Sequence, residues 1–261
     1  MDKAIIFGVF EFLGFHFCTK LLEQGYEVEG VHFAELETDE FIDEKRLAIG
    51  RNSNFTEIDS AKFQPNSTWP DDQLIIVDYY DFYMRNETSR FETFSQLDFF
   101  FEHKKKSKVM NLLPIQWLLE EVSLSFPNCI PSYHIYFPTI YGPWQQSTFI
   151  FQQALLKKIQ KNAELFLHDR EWTHDAIYID DAVNRSLEIL KKKTASYLLK
   201  SDLDNHWQKC GDYLSLPLSE FALHPKQLLN QSAEINEVIV RSETLFSEGI
   251  ERQKRHLHFL S

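Results

Sequence analysis

The sequence predicts an α/β chain: a doubly wound parallel sheet with a small C-terminal α/β lobe. Two observations predict it. Short apolar runs alternate with helix-period segments along the chain, the pattern of strands joined by covering helices. The first two runs are separated by a helix and together make a unit of about 30 residues, the length a parallel crossover needs.

Taken in order, Lys3 to Gly8 is a short apolar run ending in glycine, as a buried parallel strand reads. Residues 13–24 carry Leu13, Phe17, Leu21 and Leu22 on one helical face, and Gly25 stands where that helix should stop. Tyr26 to His32 is the next strand, 36–48 a highly charged helix, Phe55 to Asp59 a weak strand and Gln73 to Asp78 a strong one. Two helices are expected between 88 and 126, the second with Leu113, Trp117, Leu118, Val122 and Phe126 at helical spacing. Ser132 to Ile140 is a strand closed by Tyr141-Gly142-Pro143. A helix at 147–161, strands at 165–168 and 176–179, a helix at 181–192, and strands near 196–200 and 237–241 complete the pattern.

The chain has 261 residues, 43% hydrophobic and 25% charged, which predicts a folded core rather than disorder. Its net charge of −12 disfavours binding to nucleic-acid phosphates. The cluster Lys104, Lys105, Lys106 and Lys108 is local and reads as a solvated loop or helix end. Cys18, Cys129 and Cys210 lie far apart, odd in number and with no CxxC pair, so idle thiols in a reducing compartment are expected. The apolar stretch Ala4 to Cys18 contains Glu11 and falls short of the roughly 20 residues that span a bilayer. The expected setting is cytoplasmic, without membrane contact. Glycine is scarce, 8 residues, where a dinucleotide fold normally spends several on phosphate contacts.

Three segments resemble the extended short-chain dehydrogenase/reductase family, which includes NAD-dependent nucleotide-sugar epimerases and dehydratases. Ile5 to Gly14 is similar to its strand and GxxGxxG turn, Tyr136 to Gln145 to its R-x-x-N-x-Y-G-P segment, and His174 to Ala182 to its R-D-F-I-Y-V-D-D-V segment. Leu245 to Ile250 resembles a helix start near the family's C-terminus. The resemblance implies a Rossmann-like nucleotide-binding frame over 1–143 with 173–193. It also implies a small substrate-type lobe over 144–172 with 194–261.

Position by position, the implied cofactor site is degenerate. Gly8 and Gly14 stand at the first and third glycine positions, but the middle one is Glu11. A carboxylate about 4 Å from a phosphate costs on the order of 4 kcal/mol at an effective dielectric near 20, roughly a thousandfold in affinity. His32 stands where an acid should hold the adenosine ribose and reads as an ordinary surface histidine at a strand end. Tyr-x-x-x-Lys, the family's acid/base pair, occurs nowhere; counted back from Tyr141, it should fall at Val109 to Pro114. The serine strand that should precede it is not legible. Asp78, Tyr79, Tyr80 and Asp81 sit at the end of a central strand, where α/β sites form. Of these Asp78, Tyr79 and Tyr80 are the remaining candidates for proton transfer, against a reading in which they only line a crevice. Asp180-Asp181 reads as a helix cap. His168, His174, His256 and His258 lack the spacing of a metal site.

The expectation is a non-catalytic relative, a pseudoenzyme, with no cofactor, acting through a small nucleotide or nucleotide-sugar ligand or through a partner, with a homodimer formed by helices in 88–126. The alternative is an active NAD(P)-dependent epimerase, dehydratase or reductase using unorthodox residues.

Overall fold

The structure is a computed structural model that describes residues 2–33, 41–63, 72–87, 106–119, 130–159, 164–221 and 235–260. Its strands are β1 (Lys3–Phe7), β2 (Glu27–His32), β3 (Phe55–Asp59), β4 (Leu74–Asp78), β5 (Lys108–Pro114), β6 (Ser132–Phe137), β7 (Thr139–Tyr141), β8 (Ala176–Tyr178), β9 (Ser196–Ser201) and β10 (Ile235–Val240). Its helices are α1 (Phe12–Glu23), α2 (Ile42–Ile49), α3 (Tyr80–Met84), α4 (Ile150–Ile159), α5 (Ile179–Ile189), α6 (His206–Leu214) and α7 (Phe246–Leu260). Eight strands form a mostly parallel sheet in the order β10-β9-β6-β5-β4-β1-β2-β3, and β7 pairs with β8. This is the Rossmann-like α/β class that the sequence predicts.

The chain packs as two compact units, one of 1–113, 123–135 and 192–196, the other of 114–122, 136–191 and 197–261. In the first, β1 pairs in parallel with β2 and β4, with Ile6 opposite Gly30 on one side and Ile76 on the other. Ile5, Ile6, Ile75 and Ile76 are buried, as continuous apolar runs at the centre of a parallel sheet should be. Helix α1 ends as its glycine predicts: Gly25 has φ +83, its N–H bonds Leu22 O, and Tyr26 N–H bonds Leu21 O, the paired bonds of a Schellman cap.

The largest correction lies at 108–118. The segment expected to open a helix is the strand β5, paired in parallel with β4 from Lys108↔Leu74 to Leu112↔Asp78. A 3-10 turn at Ile115–Leu118 follows it. Val109, Met110, Leu112 and Leu113 are buried. A short apolar run is ambiguous by periodicity alone, and here pairing with β4 decides it. The rest of the proposed dimer segment, 88–105 and 120–126, lies outside the described residues.

In the second unit, buried Tyr141, Phe151, Tyr178 and Trp207 form an aromatic core. The expected strand at 165–168 is absent from the sheets; Phe166 N–H instead bonds the side-chain oxygen of Gln153 at 2.8 Å, which satisfies the backbone without a sheet partner. The strand expected from Ser132 to Ile140 divides at Pro138 into β6 and β7, because proline has no ladder donor. Asp180 and Asp181 lie in the first turn of α5 rather than at its cap position, which is Tyr178. Cys18 and Cys210 are buried free thiols. No helix among the described residues is long and apolar enough to cross a membrane.

Candidate functional site

The turn between β1 and α1 is built as a dinucleotide fold requires. Gly8 has φ +89, a conformation that costs a side-chain-bearing residue. A Cβ at Gly14 would lie 1.9 Å from Gly8 O, so the helix start fits against the turn only as glycine. Gly8 N–H and Val9 N–H both bond Val31 O, which ties the turn to β2.

What lies at the start of α1 differs from what the sequence suggests. Its N-cap residue is Glu11, whose side chain makes no cap bond. The Glu11 carboxylate pairs with the Arg85 guanidinium, which also bonds Glu87 at 3.1 Å. The Glu11 charge is thus partly offset, by a guanidinium that it shares with Glu87.

Two other carboxylates meet the helix N–H groups. Asp81 Oδ2 accepts from Leu13 N–H at 2.7 Å, and Asp78 Oδ2 accepts from Gly14 N–H at 3.0 Å. Asp78 Oδ1 also accepts from Asp81 N–H at 3.1 Å. Both residues are fully buried. These N–H groups are the free donors of a helix start, the feature that makes such a terminus an anion seat. The chain fills that seat with its own carboxylates. Burial, then the Asp81 charge, pushes the Asp78 carboxyl well above the usual range. Burial also raises Asp81, opposed by its bonds to Asp78 and Leu13 N–H and by the Arg85 and Lys45 charges. The pair therefore shares a proton that Asp78 holds more strongly. From α2 the buried Lys45 ammonium donates to Phe10 O at 2.8 Å and pins the turn.

The ribose end is also furnished from within. His32 at the end of β2 is buried rather than lying on the surface as an ordinary strand-end residue. Its Nε2 lies 3.1 Å from Glu57 Oε1, and its ring packs on Phe10. Arg46 bonds the same Glu57 at 2.9 Å and lies over the Phe10 ring. Tyr79 and Tyr80 are buried, with Tyr79 N–H bonded to Leu112 O. The structure brings Gly8, Glu11, Gly14 and Asp78 together at one turn. Sequence reasoning missed Arg85, Lys45 and Glu57; the only signal was a basic residue following Asp78 to Asp81 by a helical turn.

For a pyrophosphate the residues present do not fit. It would have to displace Asp81 from Leu13 N–H, leaving a buried carboxylate without its donor. Losing a hydrogen bond to a buried charged group costs roughly 1.5–3 kcal/mol, about tenfold to a hundredfold in affinity. The segment 108–114, where counting back from Tyr141 places the acid/base pair, is a strand, and residues 115–131 contain neither tyrosine nor lysine. Among the described residues no cluster of histidine, cysteine and acid side chains is arranged to hold a metal.

No protein-family model matches the sequence, and no curated protein does. Solved structures match its whole length. UDP-glucuronic acid 4-epimerase from Bacillus cereus, in complex with UDP-glucuronic acid and NAD, is 17% identical with a TM-score of 0.68, over 99% of this chain and 100% of that one. UDP-glucose 4-epimerase from Thermotoga maritima, with UDP-glucose, is 13% identical with a TM-score of 0.66, over 99% of both chains. dTDP-glucose 4,6-dehydratase from Bacillus anthracis, in complex with NAD, is 11% identical with a TM-score of 0.63, over 99% of this chain and 97% of that one.

Proposed function

We propose that this chain, which has the fold of the nucleotide-sugar epimerases and dehydratases and resembles their extended short-chain dehydrogenase/reductase family, is a non-catalytic relative acting by binding. It keeps the frame and uses no dinucleotide. One observation carries the reading: Asp81 and Asp78 occupy the donors at the start of α1 that a pyrophosphate would need. The absence of tyrosine and lysine from 115–131 supports it. Asp78, Tyr79 and Tyr80 act as packing and capping groups rather than as an acid/base set. Gly8, Glu11, Gly14 and His32 hold the turn and strand end in shape. The occupant is a nucleotide or nucleotide sugar bound in a changed pose, or a partner protein, a second copy included. The setting is the cytoplasm.

The test is direct. Purified protein should carry no nicotinamide absorbance, and NAD or NADP at millimolar concentration should leave its melting temperature unchanged, since a ligand at free concentration L raises stability, by RT ln(1 + L/Kd), only where it binds the folded state. A copurified dinucleotide identified by mass, or a clear NAD-dependent shift, would reject the proposal.

A second reading, an active NAD(P)-dependent epimerase, dehydratase or reductase, draws on the full-length likeness to structures solved with NAD. It requires Asp81 to leave Leu13 N–H on binding. Single-turnover assays with UDP-glucuronic acid and NAD separate the two readings.

A further inference from the structure

In the second unit a partly open groove of about 340 Å3 runs between α5 and the end of β10. Asp181, Asn184, Arg185 and Glu188 line it from the helix, Arg241 and Glu243 from the chain beyond the strand. The four helix positions recur at spacings of three and four, so they share one face.

The polar groups of the groove are incompletely matched by one another. Arg185 Nη1 bonds Glu188 at 2.6 Å, while Arg185 Nε is enclosed with no partner among the described residues. An enclosed donor left unbonded costs roughly 1–3 kcal/mol. No hydrogen bond or ion pair joins the Arg241 or Glu243 side chain to another described residue. Asp181 Oδ2 receives only a long bond, 3.4 Å, from Thr244 N–H. Donor and acceptor capacity therefore face the same space.

We propose that this groove binds a small zwitterion of the α-amino-acid type, its carboxylate held by the Arg241 and Arg185 guanidinium groups and its ammonium by Glu243 and Asp181. A simple anion would meet Glu243 and Asp181, and a simple amine would meet both guanidinium groups; a molecule carrying both charges satisfies both sets. Burial and the neighbouring Glu243 charge push the Asp181 carboxyl up to about 6, as a carboxylate behaves where a cation is wanted. The site is independent of the turn at Gly8, so it stands whatever that turn holds.

The experiment is calorimetry and chemical-shift titration of the full chain with glycine and alanine. Acetate, methylamine and inorganic phosphate are the comparison arms. The amino acids should bind and the single-charge probes should bind at least tenfold more weakly. Arg241→Ala and Glu243→Ala, both at exposed positions, should each weaken binding about tenfold, the worth of one charge-assisted contact. Binding should also fall as pH drops through about 6, where Asp181 takes up its proton. No amino-acid binding at millimolar concentration, affinity in either variant unchanged from that of the parent chain, or phosphate binding as tight as glycine would each overturn the proposal.

Discussion

At the residue scale the decisive group is Asp81. It is buried, it accepts from Leu13 N–H, and it lies three residues after a second buried carboxyl. Asp81→Ala should cost about 1–3 kcal/mol in urea denaturation, because it leaves the Leu13 donor enclosed and unbonded. Asp78 sets a pH dependence. Folding holds its proton well above the ordinary value of 3.8. Above that value the folded chain binds more protons than the unfolded chain, so stability falls as pH rises toward the folded-state value. Asp78→Asn should flatten this decline. A slope unchanged in the variant would show that Asp78 does not carry the proton. Glu11 and Arg85 are tied directly, and a double-mutant cycle between Glu11→Gln and Arg85→Met should return a coupling of about 1–3 kcal/mol. A coupling near zero would mean that the two charges are not paired.

At the scale of elements, the turn from β1 into α1 shows which parts of a site are legible. Gly8 and Gly14 are readable because backbone geometry demands them: one has φ +89, and the other leaves no room for a Cβ beside Gly8 O. Gly14→Ala should therefore destabilise by about 3 kcal/mol or more, measured by thermal melts. Retention of wild-type stability would refute the close packing. Strand β5 shows the opposite case. Leu113 and Trp117 stand at helical spacing, yet the backbone through Leu112 pairs with β4, Leu113 continues that strand and the 3-10 turn places Trp117. Spacing over two residues does not distinguish a helix from a strand followed by a turn. Helix α6 carried a readable signal in the spacing of Trp207, Cys210, Gly211 and Leu214, all buried. Its start lacks the usual cap chemistry, because Asn205 enters it in a left-handed conformation without a side-chain cap bond.

Over the whole molecule, buried ionisable groups give stability two opposing slopes with pH. Burial pushes Glu171 up to about 7 and Asp175 up to about 6, and it pushes His206 down to about 4. For the acids the folded state keeps the proton longer, so stability falls as pH rises from about 4 toward 7. For His206 the folded state resists protonation, so stability falls as pH drops from 6.5 toward 4. Thermal melts across this range should show Glu171→Gln losing part of the alkaline-side decline; an unaltered profile would exclude Glu171 as a source of it. The sequence by itself determined the alternation of strands and helices, the glycine turn and the absence of a Tyr-x-x-x-Lys pair, because periodicity, backbone sterics and residue identity are local properties. Only the tertiary structure decided what meets the start of α1. Leu13 and Asp81 are 68 positions apart, and no local pattern reveals that a carboxylate from α3 reaches a donor on α1. That pairing depends on β4 lying beside β1 in the sheet.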